Sequence, residues 1–245
     1  MENDAIKERQ FEKYGFQFGK KTVHTSRTIM FAELNELFIH VSATADVASY
    51  KRAIIEDNCL LKRSMSNRKR TAEHLIELYS LDPNIPVFRG LRYFWNKDIE
   101  ARKQLAVLCA YSRDTLFRAS APVILNMPIN DVMTIDRMQP FMEEISENRF
   151  SQATLKSLSQ SINSSWTQVD YVEGKVKKIR KPIEPKIGAV AYALFLGYLQ
   201  GARGLLLFET EFIRTLDCSR ELAIEMGEQA AKQGWINQKR IGSVV

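Results

Sequence analysis

The sequence predicts a mainly α fold: a helical bundle with a winged helix-turn-helix-like element and one small β-hairpin. Three observations lead there. Apolar residues recur with helical spacing through most of the 245 residues. One stretch, "TQVDYVEGKVKKIRK" (167–181), is β-prone on both sides of a Glu173-Gly174 pair, and glycine can take the positive φ of a hairpin turn. Two helical segments joined by a tight turn stand directly before it, which is the order helix, turn, helix, wing.

Taken in order, "SRTIMFAELNELFIHV" (26–41) reads as a helix behind a Ser26 cap, and a second helix covers Asp46 to Asp57. Ser64 caps "MSNRKRTAEHLIELY", in which Ala72, Leu75, Ile76 and Tyr79 share one face. "SLDPNIPVF", with two prolines in nine residues, marks a boundary. It divides the chain into a helix-turn-helix-like N-terminal domain, 1–85, and a helical C-terminal domain, 86–245, that contains the recognition helix and basic hairpin (151–181). "DIEARKQLAVLCAYSRDTLFRASAPVILN" is one long helix or a pair broken before Pro122. "TIDRMQPFMEEI" follows behind Thr134, then "FSQATLKSLSQSINSSW" behind a Ser151 cap. The latter turns Leu155, Leu158, Ile162 and Trp166 inward, and Lys156, Ser157, Gln160, Ser161 and Asn163 outward. Ile187 to Phe208 reads as a buried core helix, and Ser219 to Gln233 as the last helix.

That core helix is not expected to span a membrane. Its longest polar-free run, Ile187 to Leu199, is 13 residues, with Gln200 and Arg203 interrupting the rest, whereas a span needs about 20. Hydrophobic content of 45% and charged content of 26% are those of an ordinary globular protein. Cys59, Cys109 and Cys218 lie far apart without a CxxC, as suits a reducing, cytoplasmic setting. "MENDAIKERQFEK" lacks the apolar core of a secretory signal.

The net charge of +6 is concentrated: residues 51–70 carry seven basic and two acidic groups, and residues 171–181 five and one. Localised cations raise the local concentration of a polyanion, so nucleic acid is the first partner to consider. Residues 134–147 would be the supporting helix, 151–166 the recognition helix and 167–181 the wing. Lys175, Lys177, Lys178, Arg180 and Lys181 are expected along a phosphate backbone, with Lys156 beside them and Gln160 and Asn163 as base-edge readers. Arg63, Ser66, Arg68, Lys69 and Arg70, at the start of the third helix, form a second phosphate contact. Trp166 reads as a core anchor. His24, His40 and His74 have no metal-ligand spacing, and no nucleophile motif, P-loop or dinucleotide fingerprint is present, so neither enzymatic activity, a cofactor nor a small-molecule substrate is expected. Arg113-Asp114 reads as an isolated structural pair.

The chain also resembles the BrxA family of BREX phage-resistance systems. The likeness rests on "EDNCLLKRSMSNRKRT" (56–71), "LYSLDP" (78–83), "YSRDTLFRASAPVIL" (111–125), "NSSWTQVDYVEGKVKKIRKP" (163–182), "AYALFLGYLQGARGLLLFET" (191–210) and "AAKQGWI" (230–236). These recur in the same order over roughly residues 50–245, and the first 45 residues are less alike. The resemblance implies a helical, non-enzymatic protein that binds double-stranded DNA alongside other BREX proteins, with a similarity to the NusB fold. The family is sometimes labelled an inner-membrane protein, which the length of the apolar run counts against. Two other readings remain open: a NusB-like RNA-binding module, and an assembly subunit that docks acidic partner proteins.

Overall fold

The structure, a computed structural model, describes residues 8–238. Local chemistry starts and stops its helices. α1 (Phe31–His40) begins behind Met30, which adopts a left-handed φ of 55°, so Ser26 is not the cap and the helix starts four residues later than expected. Ser26 instead closes a turn, its N–H donating to the Val23 carbonyl at 3.0 Å, within a non-helical strap that leads to α1. α2 (Val47–Ile55) is capped by Asp46, and α3 (Met65–Tyr79) by Ser64, each side chain accepting from the backbone N–H three residues on. Pro86 opens α4 (Pro86–Lys97) at a position where its missing N–H is not needed. Buried side chains on both sides of this proline-rich turn belong to one continuous core.

The long segment beyond it is two helices, but Pro122 does not divide them. α5 (Arg102–Arg113) ends at Asp114, whose carboxylate caps α6 (Thr115–Leu125) by accepting from Phe117 N–H, and Pro122 lies inside α6. β1 (Val132–Met133) follows, then α7 (Ile135–Ile145), capped by Thr134, and α8 (Gln152–Gln168), capped by Ser151. β2 (Val172–Glu173) and β3 (Lys178–Arg180) form the hairpin. It is shorter than expected, because Thr167 and Gln168 continue α8 and the turn occupies 174–177. β1, not foreseen from the sequence, pairs antiparallel with β3 to give the order β1-β3-β2, with Val132 opposite Ile179 and Val172 opposite Arg180. Helix, strand, helix, helix and then two strands, with the first strand beside the last, is the winged helix-turn-helix order.

The expected helix from Ile187 to Phe208 is also broken. α9 (Ile187–Leu199) stops before Gly201, whose φ of 93° suits only glycine. A 3₁₀ segment (Gly204–Glu209), α10 (Glu211–Thr215) and α11 (Arg220–Lys232) follow. α9 is apolar on every side because α4, α5, α10 and α11 surround it. No single helix among the described residues is long and apolar enough to cross a membrane; α9 together with the chain to Thr215 meets the length and composition of a span but is bent by 116°.

Candidate nucleic-acid interface

α8 is the centre of the site. Leu155, Leu158, Ile162 and Trp166 are fully buried, as their spacing requires. The opposite face carries Lys156, Gln160, Ser164 and Gln168 at successive four-residue steps, a single polar stripe along the helix. Trp166 stacks on Phe117 of α6 at 4.6 Å and meets Tyr171 at the foot of the hairpin edge-on at 4.9 Å. Its indole N–H donates to Ser120 Oγ at 2.9 Å. Helix and wing are thus held in one geometry by aromatic packing.

The wing's cations do not act as one group. Lys175 and Lys177 are exposed on the turn. Lys178 is half-buried beside α8, its Nζ 3.3 Å from Ser164 Oγ, and burial pulls its pKa below the ordinary lysine value. Lys181 pairs with Glu173 at 2.9 Å, an exposed contact that a phosphate can exchange. Arg180 is not available to a backbone. It is 1% exposed, and its guanidinium donates to the carbonyls of Ile124, Tyr171 and Lys181 and pairs with Asp217. Alternate residues of a strand face opposite ways, so five cations close together on one hairpin could not all point outward.

Among the proposed base readers, Gln160 is exposed but Asn163 is 3% exposed, its Nδ2 donating to the Thr134 carbonyl at 3.3 Å. Asn163 falls on the inward side because it neighbours Ile162 on the helical face that packs toward α7, so it does not read a base edge on an outer surface. Lys156 is exposed.

The second patch divides in the same way. Arg63, Ser66, Lys69 and Arg70 are exposed. Arg68 is turned back, donating to the carbonyls of Ile55 (3.3 Å) and Lys62 (3.4 Å), where it closes the end of α2. Lys62 pairs with Glu33 at 3.0 Å. The strap, residues 22–30, joins this patch to α8. Arg27 donates to Asn67 Oδ1 in the first turn of α3 (3.5 Å), and Thr28 Oγ1 accepts from Gln168 Nε2 at the end of the α8 stripe (2.9 Å). A continuous line of polar contacts therefore runs from the start of α3 to α8.

Beneath the strap lies an arrangement that sequence reading missed. His24 Nδ1 is 2.9 Å from Asp114 Oδ2 and its Nε2 is 3.0 Å from Ser165 Oγ, the connectivity of a hydrolytic triad. Its setting is not that of a nucleophile. All three residues are buried, and Ser165 Oγ already donates to the Ser161 carbonyl (2.7 Å) and accepts from Ile29 N–H (2.8 Å). Asp114 also accepts from Thr22 Oγ1, Val23 N–H and Phe117 N–H. Burial raises its pKa, but His24 and these donors outweigh burial and hold it below the ordinary aspartate value. The three residues form a clasp that fastens the strap to α6 and α8. No motif could reveal it, because its members come from positions 24, 114 and 165.

No protein-family model matches this sequence, and no curated protein matches it. The functional reading therefore stands on geometry and on the resemblance described above.

A cavity of about 710 Å³ opens between the wing, the first turn of α7 and α8. Lys175, Lys177 and Lys178 form one wall, and Gln160, Asn163 and Ser164 another. No group of three or more His, Cys, Asp or Glu residues suited to a metal ion occurs among the described residues.

Proposed function

We propose that this chain is a non-enzymatic protein that binds duplex DNA chiefly through phosphates, with α8 in a groove and the wing along the adjacent backbone. The observation that carries the reading is the placement of Lys175 and Lys177, exposed on the wing turn beside the exposed Lys156 and Gln160 of α8, within a winged helix-turn-helix order. Arg63, Lys69 and Arg70 provide the second contact, brought toward α8 by the strap. Phosphate contacts release counterions and carry little sequence information, so affinity should be weakly sequence-dependent and strongly salt-dependent. The BrxA resemblance supports a role for this activity in a BREX defence against phage, together with other proteins of that system.

A mobility-shift titration against random duplex DNA at several salt concentrations tests the reading. Replacing Lys175 and Lys177 by alanine should lower the slope of log K against log salt by about 2, since each neutralised phosphate contributes about 0.9. An unchanged slope removes the wing from the interface. A hairpin RNA that displaces the duplex from the same site would favour an RNA-binding module. Retention on a partner protein after nuclease treatment, with no shift of free DNA, would favour an assembly subunit.

A further inference from the structure

The loop between α2 and α3 holds an apolar side chain in water at some cost. Leu60 is buried and anchors the loop, but its neighbour Leu61 is 84% exposed. A single exposed leucine needs no explanation. Leu61, however, also has a φ of 50°, a left-handed conformation that is strained for a residue with a Cβ. The loop is built to keep it there. Leu61 N–H donates to the Asn58 carbonyl at 2.9 Å, and Asn58 Oδ1 accepts from Lys62 N–H at 2.8 Å. Arg68 draws in the Ile55 and Lys62 carbonyls on either side. Arg68, lost to the basic patch, thus fixes the loop from which Leu61 projects.

The surroundings indicate what such a side chain would enter. Met65, at the start of α3, is half-exposed, and Arg63, Lys69 and Arg70 flank it in the sequence and are exposed. Among the described residues none of these three cations is in an ion pair. The same combination recurs on the wing, where Val176 is fully exposed between Lys175 and Lys177. An apolar pocket on a partner protein would answer one tip alone. A polyanion with an apolar interior answers tip and cations together, at both patches. Duplex DNA is such a partner, with phosphates outside and stacked bases within, and leucine and methionine are among the side chains that part base steps from the minor groove.

We propose that Leu61, backed in the chain by Met65, is a wedge that enters the minor groove of a bound duplex and parts one base step. Arg63, Lys69 and Arg70 would hold the flanking phosphates, and binding would kink the DNA. The proposal rests on the reading of this chain as a duplex-binding protein. It adds a source of sequence preference that phosphate contacts lack, because pyrimidine–purine steps unstack most easily.

Energy transfer between dyes at the two ends of a short duplex, with the whole protein at saturation, tests it, and mobility shift follows binding in parallel. The wild type should shorten the end-to-end distance as a kink of roughly 20–90° requires. A duplex with one central TA step should bind about tenfold more tightly than one without pyrimidine–purine steps. Leu61→Gly removes the wedge and suits the left-handed φ, so it should melt close to the wild type. It should keep the salt slope, since no charge is removed, yet lose both the shortening and the preference. Leu61→Met should retain both. Wild-type binding without shortening, or shortening undiminished in Leu61→Gly, overturns the proposal while the interface stands. Loss of a partner protein from Leu61→Gly with bending intact also overturns it, and would put the tip in a protein pocket. If no duplex binds, both readings fall.

Discussion

Arg180 carries a charge that the sequence places among the hairpin lysines and that the fold uses internally. Its guanidinium holds the end of α6, the foot of the hairpin and Asp217 together. Arg180→Ala removes the buried partner of Asp217, the donor to the Lys181 carbonyl and one of the donors to the Ile124 and Tyr171 carbonyls, so it should destabilise the protein by about 3–5 kcal/mol in chemical denaturation. Arg180→Lys should rescue little of this, because an ammonium cannot span the same fork of acceptors. Asp114 makes a second test. Its folded pKa is depressed, so its contribution is fully present above the ordinary aspartate value and lost as pH falls through its own lower one. Asp114→Asn should reduce stability at neutral pH and remove that part of the decline below about pH 4. Which cations are spent internally was not legible in the sequence. Lys177 ends up on the turn and Arg180 within β3 facing Asp217, and no motif around either distinguishes them.

Among elements, what local chemistry decides was readable. Ser64, Thr134 and Ser151 cap the helices they precede as expected, and Asp46 and Ser219, read as first helical residues, are caps too, whereas Ser26 is not; a capping side chain acts on a backbone only three residues away. The two-residue β1 was not readable; its pairing with β3 depends on residues some 46 positions later. The wing turn depends on Gly174, whose φ is 112° and whose added Cβ would lie 2.1 Å from the Lys177 carbonyl oxygen. Gly174→Ala should therefore strain the turn by about 1–3 kcal/mol and weaken duplex binding although no charge is removed. The salt slope should persist if the displaced lysines still reach phosphates, so comparison with the Lys175→Ala, Lys177→Ala variant separates geometry from charge.

For the whole molecule, the question is whether the two basic patches meet one duplex. The strap gives them a shared polar line through Arg27, Thr28 and Gln168. Removing Lys69 and Arg70 should lower the salt slope by about 2, and combining this with the wing pair by about 4. A slope in the combined variant no lower than in the wing variant would detach the α3 patch from the DNA.

The clasp and the aromatic row beneath it, His24 on Phe117 and Phe117 on Trp166, also bear on how the protein comes to be folded. The strap leaves the ribosome first, yet the helix that grips it at Ser165 is made 141 residues later. Contacts of such long range form slowly. The packing of the strap on α8 should therefore mature last, and Trp166 emission should reach its native spectrum only after backbone helicity is complete.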